Sequence, residues 1–315
     1  MLDNTTNQTK PQQQSQEPKP YKIKTNYPDI TTIKDLAELY LAGKHNLRVA
    51  TINTYEHLFK PIYTYFEESF DYKQITLMKA NLFIRYLKEQ KYSLKTVKEI
   101  GVLLKKLYKF ASQIRLITAS PIETLTLPIP QKRKPQYLLE EDIVEFMIYL
   151  TPQNRLPVLI ALSCGLRKGE VRQLKWSMVS FKNQEFFLPA EICKSKEDKI
   201  VPFPNNIKTL LEKHQKENAY EYLFPNKTKT GPRADFRRNI KTAFRKIGKP
   251  TFSFHKLRSS FATRFISEFP EALYELSQIC GWRDLETAKR YLADNIVARK
   301  KRLKKINGVS LDFEN

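Results

Sequence analysis

The 315 residues include 55 Lys plus Arg against 33 Asp plus Glu, a formal net charge of +22, and 41% of them are apolar. That length supports about two domains, and the apolar share excludes wholesale disorder and a fibrous repeat. The charge favours a polyanionic partner, nucleic acid before an acidic protein or a membrane surface. No apolar run nears the ~20 residues of a bilayer span, and the polar start MLDNTTNQTKPQQQSQEPKP carries no apolar leader. Both parts of the chain are basic, with nineteen positive against twelve negative residues over 1–130 and thirty-six against twenty-one beyond. That fits two domains pressed against one nucleic acid. Cys164, Cys193 and Cys280 are far apart and lack paired ligand spacing, so neither a disulfide framework nor a structural zinc site is expected.

Residues 1–28, rich in Gln, Asn, Thr, Lys and Pro, are expected to be disordered. Helical spacing begins at Ile33, with Leu36, Ala37, Leu39 and Tyr40 on the apolar side and Gly43 as a stop. Further helices are predicted over 51–67, from Thr76, whose hydroxyl can cap the next segment, and after Ser93 through Phe110. They make a small all-helical domain over 29–120. Its Lys60, Lys95, Lys98, Lys105, Lys106 and Lys109 suit phosphate contact and plain solvent exposure equally. Residues 121–136 hold four prolines and a QKRKP cluster without helical period, and are expected as an extended linker.

From 137 onward, EEDIVEFMIYL, LPVLIALSCGL and KGEVRQLKW read as helices. The stretch MVSFKNQEFFLPAEICKSKEDKIVPFP departs from that period and predicts a small antiparallel sheet turning at KNQ and KED. Helices resume at Asn205, over 236–247, 255–269 and 271–280, and over 285–295.

Four segments carry chemistry. In SFHKLRSSFATRF, His255 and Arg258 lie three apart on one helix and can face a common anion. In SCGLRKGE, Arg167 follows a glycine break and can approach from another direction. Two planar guanidinium forks suit the non-bridging oxygens of a phosphate. CKSKEDKIVPF places Lys194 on or beside a predicted hairpin, with Lys196 and Lys199 as neighbours. GWRDLETAKRYL places Trp282 nine residues before Tyr291, one of sixteen tyrosines, with Asp284 as a helix cap between them.

In their order and spacing, these segments closely resemble the tyrosine recombinases, or phage-type integrases, of the two-domain Xer-like kind. The resemblance implies a mainly α fold: a helical, SAM-like core-binding domain over 29–120, a mostly helical catalytic domain with a small antiparallel sheet over 137–300, and a basic tail over 301–315. It implies that Tyr291 attacks a DNA phosphate, giving a 3′-phosphotyrosyl link and a free 5′ hydroxyl, without metal, ATP or other cofactor. Arg167, Arg258, His255 and Trp282 would hold and stabilise the phosphate. Lys194, selected by aligning the VPF ending of its hairpin, would protonate the 5′ oxygen, and Glu170 would orient an arginine or histidine from behind. Trp282 stands where the family usually has histidine, and Ser259 where many relatives have a second histidine.

The implied partner is double-stranded DNA carrying a specific recombination site, bound by a homotetramer across two sites, with a monomer expected in solution. No membrane partner is implied. The implied location is the cytoplasm at the nucleoid, although an organellar or viral source would fit the same residues. Two alternatives use the same fold: a type IB topoisomerase-like nicking and closing enzyme, and a non-catalytic DNA-binding protein.

Overall fold

The computed structural model describes residues 30–44, 47, 49–131 and 135–293. The segments 1–28 and 301–315, expected as a disordered start and a basic tail, lie outside the described residues, as do 132–134 of the QKRKP cluster. The chain divides into two compact units, residues 1–132 and 133–315.

In the first unit, α1 (Ile33–Ala42), α2 (Val49–Phe66), α3 (Leu77–Glu89) and α4 (Leu94–Gln113) fall where apolar period and caps predict them. Thr32 and Asp35 form a reciprocal capping box, while Thr76 and Ser93 accept hydrogen bonds from Lys79 N and Thr96 N. The apolar faces meet in one core that includes Phe59, Phe83, Leu104 and Tyr108. Ile122 and Leu125, within the stretch expected as linker, are buried in that core, and Leu127 packs against it. Proline prevents a continuous helix here, but residues 121–124 form a turn, closed by the Leu125 N–H donating to Ile122 O at 3.1 Å, that turns Ile122 and Leu125 inward without helical period.

The second unit comprises α5 (Glu140–Ile148), α6 (Pro152–Cys164), α7 (Lys168–Arg172), α8 (Asn205–Glu217), α9 (Arg237–Lys246), α10 (Phe254–Glu268), α11 (Leu273–Cys280) and α12 (Leu285–Ala293). Between α7 and α8 lies an antiparallel sheet in the order β1 (Val179–Ser180), β2 (Glu185–Leu188), β3 (Lys199–Pro202). Phe186 pairs with Val201 and Leu188 with Lys199, so strand alternation turns Phe186, Leu188, Val201 and also Lys199 toward the interior. Gly165 ends α6 with φ 66°, and a Cβ there would lie 2.4 Å from the Phe261 ring of α10. Only glycine permits both the left-handed turn and this close approach. Among the described residues, no helix is long and apolar enough to cross a membrane.

Since Ile122 and Leu125 fill the first core, Ile122→Ala and Leu125→Ala should each lower its stability by about 2–5 kcal/mol. Amide hydrogen exchange of α4 peptides in the full chain should accelerate accordingly; unchanged exchange would return this stretch to a linker.

Candidate active site

Two arginines, Arg258 buried and Arg167 half-buried, organise the centre of the second unit. Arg258, on α10, is 1% exposed. Its Nη1 donates to Gly165 O at 2.6 Å, and its Nη2 donates to Cys280 O. Both acceptors terminate helices, α6 and α11, whose last carbonyls lack intrahelical partners and carry partial negative charge. Gly165 and Gly281 both adopt the left-handed turn that aims these helix ends inward. The buried Nε of Arg258 has no hydrogen-bond partner among the described residues.

Arg167 approaches from the N-terminus of α7. Its Nη1 donates to Glu170 Oε1 at 2.7 Å, its Nη2 to Gly281 O at 3.0 Å, and its backbone N–H to Glu170 Oε2 at 2.8 Å. Glu170 is 1% exposed. Burial alone would raise its carboxyl; the Lys199 ammonium, together with the charge and hydrogen bonds of Arg167, outweighs that and holds it below the ordinary carboxylate value. Glu170 thus faces an arginine, as the sequence suggested.

Trp282 lies in the turn between α11 and α12, with its backbone N–H bonded to Ser277 O at 2.9 Å. The Arg258 guanidinium carbon sits 5.3 Å from its ring centroid. The Tyr291 ring stacks on the same indole at 5.4 Å and 8°. Tyr291 projects from α12, where Asp284 Oδ1 accepts from Glu286 N at 2.7 Å, and Ala288 is buried while Leu292 is exposed. Its hydroxyl is 3.4 Å from Ser259 Oγ. His255 is exposed at the surface yet crowded by protein atoms, and it is lowered from its ordinary value by that partial desolvation and by the positive charges of Arg258, Lys256, Arg167 and Lys194. Arg167, Arg258, His255, Trp282 and Tyr291 therefore occupy one electrostatic neighbourhood.

Lys194 is exposed in the connection from β2 to β3 and makes no hydrogen bond to a described residue, yet its charge reaches His255. Lys199 has a different place: its Nζ is 3.0 Å from Glu170 Oε2, and its side chain is 6% exposed. Sequence reading treated Lys199 only as a rival to Lys194. The missed signal is its strand register, two residues before the core-facing Val201. Ser259 and Arg283 were also not assigned contacts; Arg283 Nη2 donates to Ser195 O at 2.8 Å, beside Lys194. Among the described residues, no three His, Cys, Asp or Glu side chains gather as a metal-ligand group.

Residues 136–296 match the family described as the phage integrase family. A protein of Pseudothermotoga lettingae named "Tyrosine recombinase" is 24% identical over 234 residues, covering 72% of this chain and 80% of that protein. A structure of the Tn1549 transposon integrase in complex with a circular intermediate DNA superposes with a TM-score of 0.73 at 16% identity, covering 88% of this chain and 100% of that one. A XerH site-specific recombinase bound to a palindromic difH substrate gives 0.69 at 20% identity, over 86% and 84%.

The site's charge makes His255 titrate low. Its ring resonance in the full chain should have a midpoint below about 6.5, and Lys194→Gln should move that midpoint upward. The sign for stability follows: the unfolded chain binds this proton first, so the His255 contribution rises with pH between its native midpoint and about 6.5 and disfavours folding below it. Histidine NMR, assigned with His255→Gln, measures both; an unmoved midpoint in Lys194→Gln would separate the two residues.

Proposed function

The chain belongs to the phage integrase family, and from that membership we infer the residue chemistry of a tyrosine-type site-specific recombinase acting on double-stranded DNA. Tyr291 Oη attacks the scissile phosphorus. The P–O5′ bond breaks, Lys194 protonates the departing 5′ oxygen, and the DNA remains joined through a 3′-phosphotyrosyl link. Attack by the 5′ hydroxyl of a partner strand reverses the step and joins the exchanged strands. The bond energy stays in the covalent link, so the cycle draws on no nucleotide hydrolysis.

The observation that carries this reading is the chain of contacts from Arg258 to Trp282 to Tyr291. A free tyrosine hydroxyl titrates near 10, so attack at neutral pH needs a base and nearby positive charge. Arg258 supplies the charge, and His255, lowered toward its neutral form, can take the proton. Arg167 and Arg258 then stabilise charge growing on the non-bridging oxygens, assisted by the Trp282 N–H. Lys194 suits the acid role because it is exposed on a loop at the site's edge, whereas the Lys199 ammonium is occupied by Glu170.

In this reading, residues 29–120 with the packed Ile122, Leu125 and Leu127 serve as the core-binding domain, residues 137–300 as the catalytic domain, and the residues from 128 to 136 as the link between them. Four chains assemble on two DNA sites, and the enzyme acts at the nucleoid. The outward basic residues of α9, Arg237, Arg238, Lys241, Arg245 and Lys246, provide phosphate-binding charge opposite its buried Ile240, Ala243 and Phe244.

Tyr291→Phe should abolish the denaturant-resistant protein–DNA adduct on a target duplex while retaining binding, since it removes one oxygen and no charge. An undiminished adduct would place the nucleophile elsewhere. Lys194→Ala should slow single-turnover cleavage of ordinary DNA by roughly 10²- to 10⁴-fold. A 5′-bridging phosphorothiolate, whose leaving group hardly needs a proton, should rescue this variant more than Arg167→Ala or Arg258→Ala. Preferential rescue of Lys196→Ala, with none at Lys194→Ala, would reassign the acid.

A further inference from the structure

Lys199 is a buried cation to which the reaction assigns no step. It reaches the site because β3 points residue 199 inward, paired with Leu188 on β2. Its ammonium and the Arg167 backbone N–H converge on Glu170 Oε2 at 3.0 and 2.8 Å, leaving Oε1 for Arg167 Nη1 at 2.7 Å. The stem of Lys199 runs beneath Gly281: a Cβ on that glycine would lie 3.4 Å from Lys199 Cδ and 3.6 Å from Arg167 Nη1. Gly281 O in turn accepts from Arg167 Nη2.

We propose that Lys199 is a positioning residue that fixes the rotation of the Glu170 carboxylate and thereby aims the Arg167 guanidinium at the scissile phosphate. The assignment rests on the recombinase reading above. With Lys199 present, Oε2 is saturated and Arg167 meets the carboxylate through one side-chain nitrogen, so the other stays on Gly281 O. Without Lys199, Oε2 keeps the Arg167 backbone N–H but has one acceptor position open, and a side-by-side two-bond pair with the guanidinium becomes the favoured geometry for an arginine and a carboxylate. Arg167 would then turn toward Glu170, with Nη2 drawn from Gly281 O. Lys199 further ties β3, and with it the end of the loop bearing Lys194, to Glu170 in the first turn of α7.

The test is single-turnover cleavage of a nicked suicide duplex by full-length protein, with DNA affinity and near-ultraviolet circular dichroism measured alongside. Lys199→Met should slow cleavage by about 10- to 100-fold, the range for losing an outer positioning partner or displacing a reacting group by an ångström. DNA affinity should hold, and Lys199→Arg should recover most of the rate. Lys199→Gln provides a second neutral variant should the methionine disturb folding. In a Glu170→Gln background, Lys199→Met should add no further loss, because Lys199 acts through that carboxylate. The bridging phosphorothiolate should not preferentially rescue Lys199→Met. An undiminished rate in folded Lys199→Met and Lys199→Gln, losses that multiply in the double variant, or preferential phosphorothiolate rescue would each overturn the assignment. Absence of an adduct from wild-type protein would instead overturn the recombinase chemistry on which the assignment rests.

Discussion

The Arg258 guanidinium, buried and held between the ends of two helices, is the constraint around which the catalytic unit is arranged. Removing an unpaired guanidinium from water is strongly unfavourable. Among the described residues no carboxylate pairs with it directly: its side-chain hydrogen bonds go to Gly165 O and Cys280 O, and the Trp282 ring lies alongside. Helix-terminal carbonyls carry enough partial charge to stabilise a cation while leaving its full formal charge in place. In the proposed reaction, a bidentate carboxylate would neutralise the group that meets the incoming phosphate. The two glycine turns follow from this demand, because both helix ends must stop abruptly and point inward.

The helices were legible because each carries its own local signal. Thr32 with Asp35, Thr76 and Ser93 mark starts by capping, and Gly165 and Gly281 mark stops by their left-handed turns. The small sheet was legible from broken helical period and alternation. Packing of Ile122 and Leu125 was not, because a proline-bounded turn leaves no regular period and its partners lie in distant helices. Among the candidate site residues, the positions near Arg258 could be read from one helix and one turn. Their mutual contacts could not: the stack of Trp282 on Tyr291 and the approach of Ser259 depend on how α10, α11 and α12 pack.

Lys194 and Lys199 show how five residues separate two identical side chains into different physical settings. Lys199 belongs to a strand whose inward register is imposed by the pairing of Phe186 with Val201. A lysine there must find a buried anion, and Glu170 meets that need. Lys194 precedes the strand, on a segment free of pleat alternation, and keeps its ammonium exposed. Sequence alone ranks lysines by motif alignment; register determines which can move into a reacting centre and which is fixed behind it.

The remaining consequence concerns charge balance. Arg167, Arg258 and Lys199 converge near a single buried carboxylate, Glu170, and the charges of Arg258 and Arg167, with those of Lys256 and Lys194, add to desolvation in depressing the neighbouring His255. Before DNA binds, that excess of positive charge opposes the compact state, as like charges at a functional site generally do. A phosphodiester supplies the missing negative charge, and the additional negative charge of the transition state is accommodated better still. The same imbalance therefore lowers the stability of the empty site and favours the reaction it performs. It also explains why the cations are fixed to helix ends, a strand and a buried carboxylate: only a rigid surrounding fold can keep them together against their own repulsion without cancelling the charge that the chemistry uses.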